Sequence, residues 1–133
     1  MTADFVVVLD ACVLIPAPLR DTLLRLAEHP QLYVPRWSEE ILAETVRNLQ
    51  GRIGLSAAKT DYLVGQLKTH FADSWVHGYE QFLATVDNHP KDRHVLAAAI
   101  RCRADAIVTY NRAIFRLRLS NRGASGFWDP ARS

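Results

Sequence analysis

Phe5-Val6-Val7-Val8-Leu9, followed at once by Asp10, is the stretch on which the fold turns. An unbroken run of β-branched and aromatic side chains, with no polar alternation, describes a strand covered on both faces, as in a parallel sheet flanked by helices. Asp10 closes the run with an ionisable group after a wholly apolar approach. Beyond it Leu19, Thr22, Leu23, Leu26 and Ala27 recur at helical spacing until His29-Pro30 breaks the pattern. Leu32-Tyr33-Val34 reads as a second short strand closed by Pro35. Ser38 then offers an oxygen to cap a helix, with Trp37 and Leu42 placed as its hydrophobic staple.

Within that helix Ile41, Leu42, Thr45, Val46 and Leu49 form one apolar arc, and Gly51 is the expected terminator. A further helix starts near Ser56 with Leu63, Leu67, His70 and Phe71 on one stripe. The spacing of Trp75, Val76, Tyr79, Phe82, Leu83 and Val86 also predicts a helix, although Gly78 interrupts it. Asp87-Asn88-His89-Pro90 is a turn, after which Val95, Leu96, Ala99 and Ile100 describe an amphipathic helix beginning near Asp92. Ala106-Ile107-Val108-Thr109 is the third strand. Strands separated by helical segments predict an α/β fold with a mainly parallel sheet, whose site lies outside the carboxyl ends of the strands where their order reverses.

The 133 residues amount to one domain, 49% apolar and 23% charged, enough to bury a core and unlike a disordered or collagen-like chain. The longest apolar stretch, Phe5 to Leu19, is broken by Asp10, Pro16 and Pro18, so no membrane span is expected. Met1-Thr2-Ala3-Asp4 lacks the basic start of a secretory signal. Cys12 and Cys102 are therefore read as reduced thiols of a cytoplasmic protein. A net charge of +2 argues against a protein held to nucleic acid by charge alone, yet Arg101, Arg103, Arg112, Arg116, Arg118, Arg122 and Arg132 make the C-terminal part basic. From Arg116 to Ser133 the periodicity fails. The expected organisation is a domain over 1–115 and an atypical basic tail over 116–133, disordered or only partly docked.

Asp10 stands where α/β proteins place ligands, though an Asx turn or cap explains it equally well. Asp92 opens a helix, where the dipole favours a carboxylate whatever its use. At about 100° per residue, Glu40 points away from the apolar arc of its helix while Glu44 lies nearer the border and is the better site candidate. Glu39 and Glu40 read as compensation of the helix dipole. Asn111 follows the third strand much as Asp10 follows the first. Acids or amides at two strand ends, at a helix start and one turn inside another helix can converge on one cleft. An oxygen-only cluster suits Mg²⁺ or Mn²⁺ rather than zinc, and with it phosphodiester hydrolysis. The chain has no G-x-x-x-x-G-K-[ST] loop, no G-x-G-x-x-G after a strand and no G-x-S-x-G elbow. His89 and His94, five apart, do not share a helical face as metal ligands would, although His94 can still meet a phosphate.

Three stretches together resemble the PIN-domain family of metal-dependent ribonucleases, in its VapC-like toxin branch: Val7 to Leu14, Ser38 to Glu44, and Pro90-Lys91-Asp92-Arg93-His94-Val95-Leu96-Ala97-Ala98-Ala99 with Ile107-Val108-Thr109-Tyr110-Asn111. The resemblance covers residues 5 to about 115 and implies a three-layer α/β/α sandwich with a central parallel sheet. Carried over by position, Asp10, Glu44 and Asp92 match the family's metal-holding acids, and Thr109 with Asn111 matches its strand-end element. Arg93, His94 and Arg112 are the expected substrate contacts. The implied activity is an endoribonuclease using Mg²⁺ or Mn²⁺, the toxin of a toxin–antitoxin pair. Its implied partners are RNA, a protein antitoxin presenting a basic side chain to the acidic cleft, and a second copy in a homodimer. Two departures stand out. Ile114 occupies a position where relatives with Asn at the strand end carry an acid, which implies weaker metal affinity. The tail lacks the usual last strand and helix, which implies a sheet one strand short.

A non-catalytic module of the same fold, binding RNA or protein, is the alternative that Ile114 favours. A receiver domain also uses an acid after its first strand, but Pro35-Arg36 follows Val34 where an acceptor aspartate is needed, and no Lys follows Lys91.

Overall fold

The computed structural model describes residues 4–28, 30–85, 93–110 and 127–128. Val6–Leu9 forms β1, buried from Val7 onward as its composition demands. β2 (Val34–Arg36) and β3 (Ala106–Val108) flank it, and β4 (Phe127–Trp128) lies outside β3, giving the parallel order β2-β1-β3-β4. Helices α1 (Ala11–Leu14), α2 (Ala17–Leu26), α3 (Glu39–Asn48), α4 (Ala57–His70) and α5 (Arg93–Arg101) complete the expected α/β/α sandwich. Val8, Leu9, Trp37, Ile41, Leu96 and Ile107 are fully buried in one core that joins sheet to helices. Asp105 fixes the start of the sheet: its Oδ2 accepts from Val6 N at 2.8 Å, and its own N–H donates to Val6 O at 2.7 Å.

Two helix starts form as the sequence predicts. Ser38 Oγ accepts from Ile41 N at 3.1 Å, and Ser56 Oγ accepts from Lys59 N at 3.2 Å. Trp37 and Leu42 are both buried in the core beside the first of them. α5 is buried from His94 through Ala99, because its run of alanines lets neighbouring elements approach on every side.

Elsewhere the structure departs from expectation. Pro35 lies inside β2, opposite Val7, rather than closing a strand before it. β2 is the edge of the four-stranded sheet, the place where a residue without an N–H costs no ladder bond. Asp10 caps a one-turn helix, α1, that the prolines at 16 and 18 concealed. Gly51 does not end α3. The coil widens into a π-helical segment, Leu49–Ile53, and stops at Gly54 (φ 86°), whose N–H returns to Leu49 O. Of the helix expected across 75–86, no α-helical turn forms among the described residues 75–85. Trp75 makes a single parallel bridge to Trp37, Gly78 adopts φ 73°, and only a short 3₁₀ segment, Glu80–Thr85, follows. His70, expected on the apolar stripe of α4, is exposed and lies 4.0 Å from Glu28. The sheet is not one strand short either, since β4 pairs with β3 through Ile107–Phe127 and Val108–Trp128. Two residues are too few to leave a periodicity in the sequence.

The two glycines separate cleanly in a substitution test. Gly54→Ala forces a Cβ into the left-handed region and should destabilise by about 1–2 kcal/mol. Gly51→Ala meets nothing within 4 Å and should stabilise by about 0.5–1 kcal/mol, both read from urea unfolding midpoints.

Candidate functional site

The chain runs from β1 outward to β2 and then returns to the other side of β1 as β3, so the strand order reverses between β1 and β3. Leu9 pairs with Val108 in register, and the next residues, Asp10 and Thr109, leave the sheet side by side. Asp10 N donates to Val108 O at 3.2 Å. Thr109 is fully buried and Asp10 is 6% exposed. Thr109 Oγ1 donates to Asp10 Oδ2 at 2.8 Å, while Ala11 N donates to Asp10 Oδ1 at 2.7 Å. Asp10 is thus a helix cap at the end of β1, and its second oxygen is held by Thr109.

Cys12 joins them. Its Sγ lies 3.3 Å from Thr109 Oγ1 and 3.5 Å from Asp10 Oδ2, and it accepts from Tyr110 N at 3.2 Å. Burial, reinforced by the charge of Asp10, pushes its thiol up to about 11, so it carries its proton at neutral pH. Cys102 is likewise unpaired and raised by burial. Sequence reading treated Cys12 only as a reduced thiol. The available signal was its position two residues after the strand-end acid, in the first turn of whatever follows.

Glu44 lies on α3, half exposed at the border of the apolar arc as its helical phase predicted, and His94 Nε2 is 3.6 Å from its Oε1. His94, expected to face a phosphate, is 6% exposed, and its buried Nδ1 has no hydrogen-bond partner among the described residues. Arg93 begins α5, half-buried. Glu39 and Glu40 do more than offset a dipole. Glu39 Oε1 accepts from Trp75 Nε1 at 2.7 Å, and Glu40 Oε1 accepts from the Tyr79 hydroxyl at 2.7 Å, tying segment 75–79 to the start of α3.

The structure therefore brings Asp10 to Thr109 and Glu44 to His94. Asp92, Asn111, Arg112 and Ile114 lie outside the described residues. Among the described residues, no group of three or more His, Cys, Asp and Glu side chains is placed to hold a metal ion. The donors at the strand ends, the Asp10 carboxylate beside the Thr109 hydroxyl and a protonated thiol, are of the oxygen-rich kind that suits a hard cation, and Glu44 lies apart from them against His94. Two surface hollows lie elsewhere. One, of about 620 Å³, runs between α3 and α4 past Leu42, Val46 and Val64. The other, of about 480 Å³, lies beside β2 and His70. No described helix is long and apolar enough to cross a membrane.

Comparison with known proteins bears on the same residues. A PIN domain family model matches residues 6–113. Over 34 residues, 26% of this chain, the sequence is 62% identical to "Putative ribonuclease VapC50" of Mycobacterium tuberculosis. That match spans 20% of the relative's length. Among solved structures the chain is similar to VapBC2 from Rickettsia felis, crystallised bound to a DNA fragment from their promoter. The TM-score is 0.54 at 17% identity, covering 93% of this chain and 98% of that one, which is a likeness of fold.

The tether between Tyr79 and α3 is open to test by pH. Burial, then the hydrogen bond to Glu40 and its charge, holds the Tyr79 phenol above the ordinary tyrosine range. The folded chain therefore keeps this proton more tightly than the unfolded one. The stability it supplies is complete below the unfolded value of about 10 and is lost as pH rises past it. Tyr79→Phe should cost about 1–2 kcal/mol at pH 7 and flatten the alkaline limb of the stability curve, measured by urea unfolding from pH 7 to 11.

Proposed function

The chain belongs to the PIN-domain family, and from that premise we propose that it is a divalent-metal-dependent endoribonuclease acting as the toxin of a toxin–antitoxin pair. The observation that carries this reading is Asp10: a buried carboxylate at the reversal point of a parallel sheet, fixed through one oxygen by Ala11 N–H and through the other by Thr109.

In this reading Asp10, Glu44 and Asp92 hold Mg²⁺ or Mn²⁺. The ion supplies Lewis acidity that neutralises phosphate oxygens and eases deprotonation of the attacking water. Thr109 keeps Asp10 aimed, and His94, packed against Glu44, restricts that carboxylate from the α5 side. Asn111 orients ligand and water at the end of β3. Arg93 and Arg112 take backbone phosphates, which positions RNA without reading its sequence. A protein antitoxin covering the acidic cleft and a homodimer are the proposed partners. The fold likeness to a VapBC2 assembly supports the first.

The second reading, a binding module of the same fold that does not cleave, is favoured by Ile114, which brings no acid to a cleft already holding an amide at Asn111. Cleavage of a labelled RNA mixture with Mn²⁺, with Mg²⁺ and with chelator separates the two. We expect metal-dependent cutting that Asp10→Asn lowers by more than the roughly 10- to 100-fold typical of an outer-shell change. Equal inertness of folded wild type and mutant, with RNA still retained in a filter assay, would establish the binding module instead.

A further inference from the structure

The proposed chemistry assigns no part to Cys12, yet its Sγ meets Asp10, Thr109 and Tyr110 at the strand ends. Tyr110 N–H donates to Cys12 Sγ at 3.2 Å. The only proton of Thr109 Oγ1 points to Asp10 Oδ2 at 2.8 Å, so the thiol proton of Cys12 faces two acceptors, Asp10 Oδ2 at 3.5 Å and Thr109 Oγ1 at 3.3 Å. The donors converge on one carboxylate: Tyr110 N–H holds Cys12 Sγ, while the Thr109 hydroxyl and the Cys12 thiol both face Asp10 Oδ2. Ala11 N–H restrains the opposite oxygen.

We propose that Cys12 is a positioning residue for the metal-binding carboxylate: by its own contact and through Thr109 it fixes the aim of Asp10 Oδ2, and through Tyr110 N–H it pins the exit of β3. The inference rests on the metal-dependent reading above. It differs from a packing role in a checkable way, because a packing role depends on volume and a positioning role depends on a donor and an acceptor. Valine fills the volume and lacks both. Serine is smaller and keeps both.

The test is calorimetric titration of the metal-free full chain with Mn²⁺, alongside a thermal unfolding midpoint for each variant. Cys12→Val should weaken Mn²⁺ binding by about tenfold, the lower end of what loss of an outer-shell partner costs, while Cys12→Ser retains most of the wild-type affinity. Cys12→Ala replaces the valine variant if that one does not fold. Wild-type affinity in Cys12→Val, or equal losses in the serine and valine variants, would each overturn the proposal while leaving the nuclease reading intact. Absence of Mn²⁺ binding by wild type would overturn the metal-dependent reading, and this inference with it.

Discussion

The hydrogen bond from Thr109 to Asp10 is the constraint around which the described chain is arranged. Removing a carboxylate from water at the end of an apolar strand costs several kcal/mol unless its oxygens find partners. Here the partners exist only because β1 and β3 are paired in one register, Leu9 against Val108. In a sheet slipped by one residue, Thr109 would no longer leave the sheet beside Asp10, and the hydrophobic faces of β3 would exchange. The polar contact therefore penalises wrong registers more than it rewards the right one. The apolar run from Val6 to Leu9 supplies the burial, and Asp10 and Thr109 supply the specificity.

A second frame depends on the first. α5 packs on β1 and on α3, and its alanines at 97, 98 and 99 are fully buried, so helix and sheet approach closely. That closeness brings His94, one residue into the helix, against Glu44 on α3. Large side chains at the alanine positions would lift α5 away and separate the pair. α3 is itself held at both ends, by the Ser38 cap with its Trp75 and Tyr79 tethers and by the widened coil ending at Gly54. The two candidate carboxylates thus ride on elements whose placement is over-determined by apolar packing, as a site held to a fraction of an ångström requires.

What was legible in the sequence was what many residues repeat. β1, the helix cap at Ser38, the helix start near Ser56, the phase of Glu44 and the segment from α5 into β3 all followed from periodicity or from a capping residue with a defined bond to make. What escaped was decided by one or two residues in tertiary context. Pro35 is compatible with a strand only because that strand is an edge, which no local pattern reveals. Gly51 and Gly54 look alike as letters, and only the second takes a positive φ. Trp75, Val76 and Tyr79 have helical spacing, yet their partners are Trp37 and the carboxylates of α3, so long-range bonds overruled the local pattern. Cys12 was invisible as a partner because its contacts lie nearly a hundred residues away in sequence.

The composition of the cleft sets a balance between holding a cation and folding without one. Carboxylates drawn together repel, and each one added raises the cost of the metal-free state while strengthening the grip on the ion. By sequence this chain carries an amide at Asn111 and an apolar side chain at Ile114, and in the proposed reading neither adds a charge to that repulsion. A looser electrostatic grip places more of the burden on geometry, since fewer charges must be aimed more accurately to hold the same ion. On that argument the hydrogen bonds to Asp10 matter more in this chain than they would in a relative with an additional acid, and the thiol proton of Cys12, one member of that set, is where the difference is to be sought.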